Sequence, residues 1–160
     1  MIMIREMIHQ DIIFPEREVK NQGEFFHFVS RDLYEKGYVH PSFEKAITTR
    51  EKKYPTGLQL DNITIAIPHT DCEHIIQAFL CVNRIITPAS SPITFMQMGT
   101  DDVKVFPEYV LVLGITQPKE QVTLLSEIME LFSQETFVQK LRCATTTSDI
   151  YSAFIEGGGK

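Results

Sequence analysis

Tyr109-Val110-Leu111-Val112-Leu113 is a continuous apolar run in a chain of 160 residues. A run this short reads as a strand covered on both faces, because a strand with one face in water alternates. Apolar residues at helical spacing lie on either side of it. Phe25, Phe28, Val29, Leu33 and Tyr34 recur between Gly23 and Lys36, and Gly37 ends the pattern. Pro41 suits the first turn of a second helix through Phe43, Ala46 and Ile47 toward Arg50. Tyr54-Pro55 stops it, since a residue before proline avoids helical geometry. Beyond the run, Pro118 opens a helix whose Val122, Leu125, Ile128, Met129 and Phe132 form one stripe. Phe137, Val138 and Leu141 mark another helix, and Ile150, Ala153 and Phe154 a last one. Shorter strands are expected at Ile12–Phe14, Ile63–Ile67, Ala78–Val82 and Ile93–Met96. Helices before and after a central block of strands predict a layered α/β domain.

The length predicts one domain with a sizeable core, spanning residues 1–156, with 157–160 as a frayed tail. Net charge is −6, from 15 basic and 21 acidic residues, without a Lys/Arg block. That balance argues against nucleic-acid and anionic-membrane binding and favours a basic protein partner. Charges break the apolar start at Arg5 and Glu6, too early for a signal peptide, and no run approaches a membrane span. Cys72, Cys81 and Cys143 are odd in number and lack paired spacing, which reads as free thiols in a reducing cytoplasm.

Ile63, Ile65 and Ile67 alternate with Thr64 and Ala66, then Pro68 and His69 follow. Proline donates no ladder hydrogen bond, so pairing is expected to stop there and His69 to stand at the rim of a sheet. A stiff strand end suits an imidazole that must meet a partner repeatedly in one orientation. Standing alone, such a histidine is more often structural.

The wider pattern is more specific. Thr49-Arg50-Glu51, Pro55-Thr56-Gly57 and Ala66-Ile67-Pro68-His69-Thr70, in this order and spacing, resemble the enzyme IIA domains of the bacterial sugar phosphotransferase system (PTS). The branch is that of fructose, mannitol and galactitol transporters, and the resemblance covers nearly the whole chain. It implies a mixed β-sheet flanked by helices on both faces. It also implies a cytoplasmic phosphotransferase in which the phosphocarrier protein HPr donates a phosphoryl group to His69. His69 then passes the group to a cysteine of the cognate IIB component. The membrane component IIC is met only indirectly, and no cofactor is called for.

The residue chemistry fits. Neutral imidazole is nucleophilic near pH 7. Phosphoryl transfer passes through a loose transition state, so the protein mainly positions and neutralises. Arg50 is the candidate for neutralisation, since its planar fork can hold two phosphoryl oxygens. Its competing reading is a solvated arginine paired with a nearby glutamate. Thr56 and Thr70 could supply a hydroxyl or backbone N–H, against the plainer roles of turn and loop residues. No Walker-type loop is present, and none is needed when the donor is already a phosphohistidine.

One departure narrows the subgroup. Mannitol- and fructose-type members place a second active-centre histidine in a Glu-His pair opening the helix after the buried strand; this chain has Glu120-Gln121. Glutamine can donate to a phosphoryl oxygen but carries no charge. Gln121 with Pro55-Thr56-Gly57 resembles the galactitol type. Two other readings stand beside it. One is a regulatory protein that uses a phosphorylatable His69 as a sensor. The other is a small zinc-binding module using His69, Cys72 and His74, although no second ligand cluster or Cys-x-x-Cys pair completes it.

Overall fold

The computed structural model describes residues 1–87 and 92–158. In chain order the elements are α1 (Ile2–Met7), β1 (Ile8–Glu18), α2 (Gln22–Glu35), α3 (Phe43–Lys53), β2 (Gly57–Gln59) and β3 (Thr64–Ala66). A 3₁₀ turn (Cys72–His74) precedes β4 (Phe79–Ile86), β5 (Phe95–Met96), β6 (Lys104–Val105) and β7 (Tyr109–Gly114). Then come α4 (Glu120–Phe132), α5 (Glu135–Cys143) and α6 (Thr147–Gly158).

Five strands form one sheet in the order β1-β4-β7-β3-β2. β1 runs parallel to β4 and β3 parallel to β7, while β4–β7 and β2–β3 are antiparallel. The sheet is therefore mixed. β7 lies in its centre and every residue of it is buried. Its side chains alternate between two cores: Leu111 and Leu113 pack with α1, α4, α5 and α6, whereas Val110 and Val112 pack with α2 and α3. Helices thus cover both faces. Together these clusters account for the uninterrupted apolar run, since neither face of β7 can tolerate a polar group without a partner.

The α2 helix begins at Asn21, whose side-chain oxygen accepts from the Glu24 N–H at 2.8 Å. It ends before Gly37, whose φ of +85° suits a residue without a Cβ. Three details differ from expectation. β1 is eleven residues long and passes through Pro15, because it is an edge strand whose register shifts between Phe14 and Arg17. The buried stripe of α4 is Leu124, Ile128, Leu131 and Phe132, while Val122 is 76% exposed. α6 continues through Gly157 to Gly158 where a frayed tail was expected, and residues 159–160 lie outside the described residues.

Gly57 explains its own place in the Pro-Thr-Gly turn. A Cβ there would sit 2.5 Å from the Met96 carbonyl oxygen and 2.5 Å from Val105 Cγ2. The small β5–β6 ribbon packs onto β2 at this point, and the Met98 N–H donates to the Gly57 carbonyl at 2.7 Å.

Candidate functional site

His69 follows β3 by three residues, but it does not stand at an open rim. It is 5% exposed. Pairing also survives Pro68: the Leu113 N–H donates to the Pro68 carbonyl at 3.0 Å, and His69 bridges Leu113 in parallel register. Proline lacks only the donor, and its carbonyl is the group the neighbouring strand uses. The backbone holding His69 is thereby tied to the central strand.

Both ring nitrogens are engaged. Nδ1 lies 2.7 Å from the Ile67 carbonyl oxygen, an acceptor only, so Nδ1 carries the proton and donates it. Nε2 is then the unprotonated nitrogen. It lies 3.2 Å from the Gln121 side-chain nitrogen, which as an amide donates to it. Gln121 arrives from the first turn of α4, immediately past the end of β7. Burial pushes the His69 pKa below its ordinary value of 6.5; the Ile67 hydrogen bond opposes this, and the nearby positive charge of Arg50 adds to it. The imidazole is held neutral, in one tautomer, with its lone pair on Nε2.

Arg50 occupies the last turn of α3. Its guanidinium carbon lies 4.6 Å from the centre of the Tyr54 ring, and Nη1 donates to the Tyr54 carbonyl at 3.3 Å. Among the described residues it pairs with no carboxylate, so the expected competing reading, an ion pair to a neighbouring glutamate, is not what the fold makes. An open cavity of about 510 Å³ lies along this face, lined by Ser42, Thr49, Arg50, Tyr54, Asp71 and His74 among others. His69 does not line it, and Arg50 and Asp71, whose charges reach the His69 ring, connect the two.

Thr56 and Thr70 are both buried. The Thr70 hydroxyl donates to the Asp71 carbonyl at 3.0 Å. Thr56 has committed both of its hydrogens to Glu51: its N–H donates to Oε2 at 2.8 Å and its hydroxyl to Oε1 at 2.7 Å. In this arrangement Thr56 has no hydrogen left to offer a phosphoryl oxygen.

Glu51 belongs to the motif beside Arg50 with no role read for it from the sequence, and it is 4% exposed. Burial pushes its carboxyl up to about 7 against the opposing pull of the two Thr56 hydrogen bonds and of Arg50. One signal existed. Consecutive helical residues point about 100° apart. If Arg50 faces outward at a helix end, Glu51 turns toward the interior and the chain returning through Thr56.

The zinc reading fails on geometry. His74 Nδ1 lies 2.7 Å from the Ser42 hydroxyl, and His69 spends both ring nitrogens on Ile67 and Gln121. Among the described residues no three His, Cys, Asp or Glu side chains gather as a metal-binding group. Burial, with Asp71 nearby, holds the Cys72 thiol above its ordinary range, the opposite of what a thiolate ligand needs. No described helix is long and apolar enough to cross a membrane.

A family model described as the phosphoenolpyruvate-dependent sugar phosphotransferase system, EIIA 2, matches residues 6–157. The chain belongs to this EIIA family. The galactitol-specific EIIA component of Escherichia coli (strain K12) is 27% identical over 121 residues, which cover 76% of this chain and 77% of that protein. The transcriptional regulator ManR of Bacillus subtilis (strain 168) is 26% identical over 143 residues, 88% of this chain but only 20% of that longer protein. In a solved complex of enzyme IIA-Mtl with phosphorylated enzyme IIB-Mtl from Escherichia coli, the matching chain superposes with a TM-score of 0.72. The match covers 94% of this chain and 99% of that one at 17% identity, a likeness of fold. The mixed sheet with helices on both faces is the EIIA architecture, and membership makes this chain a component of a sugar phosphotransferase system.

Proposed function

We propose that this EIIA protein is a galactitol-type phosphocarrier of the cytoplasm that accepts a phosphoryl group on Nε2 of His69. The observation that carries the reading is the pair of contacts on the ring: Nδ1–H bound to the Ile67 carbonyl and the Nε2 lone pair facing Gln121. A histidine that is merely structural gains nothing from burial that keeps it neutral and aims its lone pair at a movable amide.

The transfer balances without a cofactor. The Nε2 lone pair attacks the phosphorus of phospho-HPr, the P–N bond to the donor histidine breaks, and its electron pair returns to the donor ring. Nδ1–H stays on Ile67 throughout, so the positive charge that develops on the His69 ring is shared with a carbonyl oxygen. Arg50 turns from Tyr54 to the phosphoryl oxygens. The cost of that turn is small, because what it gives up is one stacking contact and one hydrogen bond. Gln121 releases Nε2 and donates to a phosphoryl oxygen in its place. Thr70 offers its backbone N–H beside the ring, and its hydroxyl only after leaving the Asp71 carbonyl. Thr56 contributes to the phosphoryl pocket only after its hydroxyl leaves Glu51.

In the second half of the cycle a cysteine thiolate of the IIB component attacks the same phosphorus, and the P–N bond electrons return to Nε2. A IIB partner is supported by the fold likeness to an EIIA protein solved in complex with phosphorylated IIB. The galactitol type is supported by the Escherichia coli relative and by glutamine at position 121. The relation to a transcriptional regulator favours a second reading, in which phosphorylated His69 reports sugar flux to a protein target. Transfer separates the two: phosphorylated protein mixed with a galactitol-type IIB component should lose its label to the IIB cysteine within seconds. A label that stays on His69 in the presence of that IIB would favour the regulator.

A further inference from the structure

Four hydrogen bonds in three steps connect Glu51 to His69 through the backbone. The Glu51 carboxylate accepts from the Thr56 N–H and hydroxyl at 2.8 and 2.7 Å. The Thr56 carbonyl accepts from the Ile67 N–H at 3.2 Å. The Ile67 carbonyl accepts from His69 Nδ1–H at 2.7 Å. Each link is a different peptide or side chain, and each fixes the orientation of the next. The two Glu51 contacts hold Thr56 by its N–H and its side chain, Thr56 and Ile67 each pass the constraint from one peptide plane to the next through their own backbone torsions, and the Ile67 carbonyl holds the imidazole.

The geometry points to Glu51 as a positioning residue for phosphoryl transfer, acting through Thr56 and Ile67 on the tautomer and aim of the His69 ring. The assignment rests on His69 as the phosphoryl acceptor. It gives the two adjacent residues at the end of α3 separate tasks: Arg50 faces the groove and neutralises charge, while Glu51 faces inward and holds the ring still. A buried carboxylate is an expensive way to tie down a turn, since a water or a serine could satisfy the same two donors at lower desolvation cost. A bidentate carboxylate does what those cannot, which is to fix N–H and O–H of one residue in a single geometry. The distance from Arg50 to Glu51 in sequence also matters. A shift of α3 that moves the arginine must move the carboxylate, so both groups stay in register with the ring.

The test is single-turnover phosphorylation by phospho-HPr, read beside the ¹⁵N shifts of the His69 ring. Glu51→Ala should lower the rate at saturating phospho-HPr about ten- to a hundredfold, as misplacement of a reacting group does, with little change in half-saturation. The Nδ1 and Nε2 shifts should move toward each other as the ring loses its single tautomer. Glu51→Gln should stay within about threefold of wild type, because its oxygen accepts from the Thr56 N–H and its amide donates to the Thr56 oxygen. Thr56→Val, which removes one of the two contacts, should fall between them and serves if Glu51→Ala does not fold. Wild-type rate and ring shifts in a folded Glu51→Ala or in Thr56→Val would overturn the assignment while leaving His69 as acceptor. An equal loss in Glu51→Gln and Glu51→Ala would overturn it too, by showing that charge rather than tethering is what matters. Failure of wild-type protein to accept phosphate at all would instead overturn the function itself.

Discussion

His69 and Gln121 meet nitrogen to nitrogen, 3.2 Å apart, across 52 residues of chain. One comes from the end of β3 and the other from the first turn of α4, and β7 between them sets the separation. In the proposed mechanism this contact makes Gln121 the guard of the Nε2 lone pair. Gln121→Ala should change the transfer rate only modestly, since one neutral hydrogen bond is worth about 0.5–1.5 kcal/mol. Gln121→His should be tolerated and should make hydrolysis of the phosphorylated protein depend on pH between 6 and 8, through titration of the new ring. Identical hydrolysis rates in wild type and both variants, with unchanged transfer, would place Gln121 outside the reaction.

In the proposed mechanism Arg50 neutralises the phosphoryl charge. Arg50→Ala should slow phosphorylation about 10²–10³-fold, the usual effect of removing a transition-state donor, while leaving His69 modifiable. Arg50→Lys should recover part of the rate, because it restores charge but not the two-pronged geometry. Rapid-quench kinetics with phospho-HPr decide this, and wild-type rates in Arg50→Ala would return the residue to a solvated role.

Burial lowers the His69 pKa from 6.5, so the ring stays neutral into mildly acidic solution. The acid limb of the phosphorylation rate should therefore fall below pH 6.5, where an exposed histidine would already be half protonated. A limb at or above 6.5 would contradict the buried geometry. In stability, this depressed value means that the unfolded chain takes up the proton first, so the His69 contribution is present above pH 6.5 and is lost as pH falls.

Glu51 works in the opposite sense. Its carboxyl is raised from 4.5 to about 7, so between those values the folded chain binds a proton that the unfolded chain does not. The stability it adds is fully present below pH 4.5 and is lost as pH rises to 7, on the order of 3 kcal/mol. Glu51→Gln should remove this slope, so that the variant gains on wild type between pH 5 and pH 8 in urea unfolding. Parallel curves for the two proteins would show that Glu51 does not titrate in that range.

Gly57→Ala should cost about 1–3 kcal/mol, because the new methyl group meets the Met96 carbonyl at 2.5 Å. Thermal unfolding measures it. A neutral result would mean that the β5–β6 ribbon can move away from β2 freely.

These expectations differ in how far the sequence alone could reach them. β7 was legible because burial on both faces leaves an unbroken apolar run, and β3 because isoleucines alternate with Thr64 and Ala66 through it. β1 was legible only at Ile12–Phe14, since an edge strand with Gln10, Asp11, Glu16 and Glu18 exposed carries the rest of its pairing in the backbone rather than in alternation. In α4 the sets Val122, Leu125, Met129 and Leu124, Ile128, Leu131 share the same period, and only packing against the sheet selects the second. The pairing of His69 with Gln121 was reachable through the family pattern alone. Glu51 was hidden because a glutamate beside an arginine and two lysines reads as a solvated helix end, whereas its burial is created by Thr56 arriving from the next segment.

The most direct test of the account is to phosphorylate ¹⁵N-histidine-labelled protein with phosphoenolpyruvate, enzyme I and HPr, and to read phosphorus–nitrogen coupling by NMR. The account predicts one acid-labile phosphoryl group, coupled to Nε2 of His69, with Nδ1 still protonated, and no labelling of a folded His69→Ala variant. Undiminished labelling of that variant, or phosphorus on Nδ1 of His69, would contradict it.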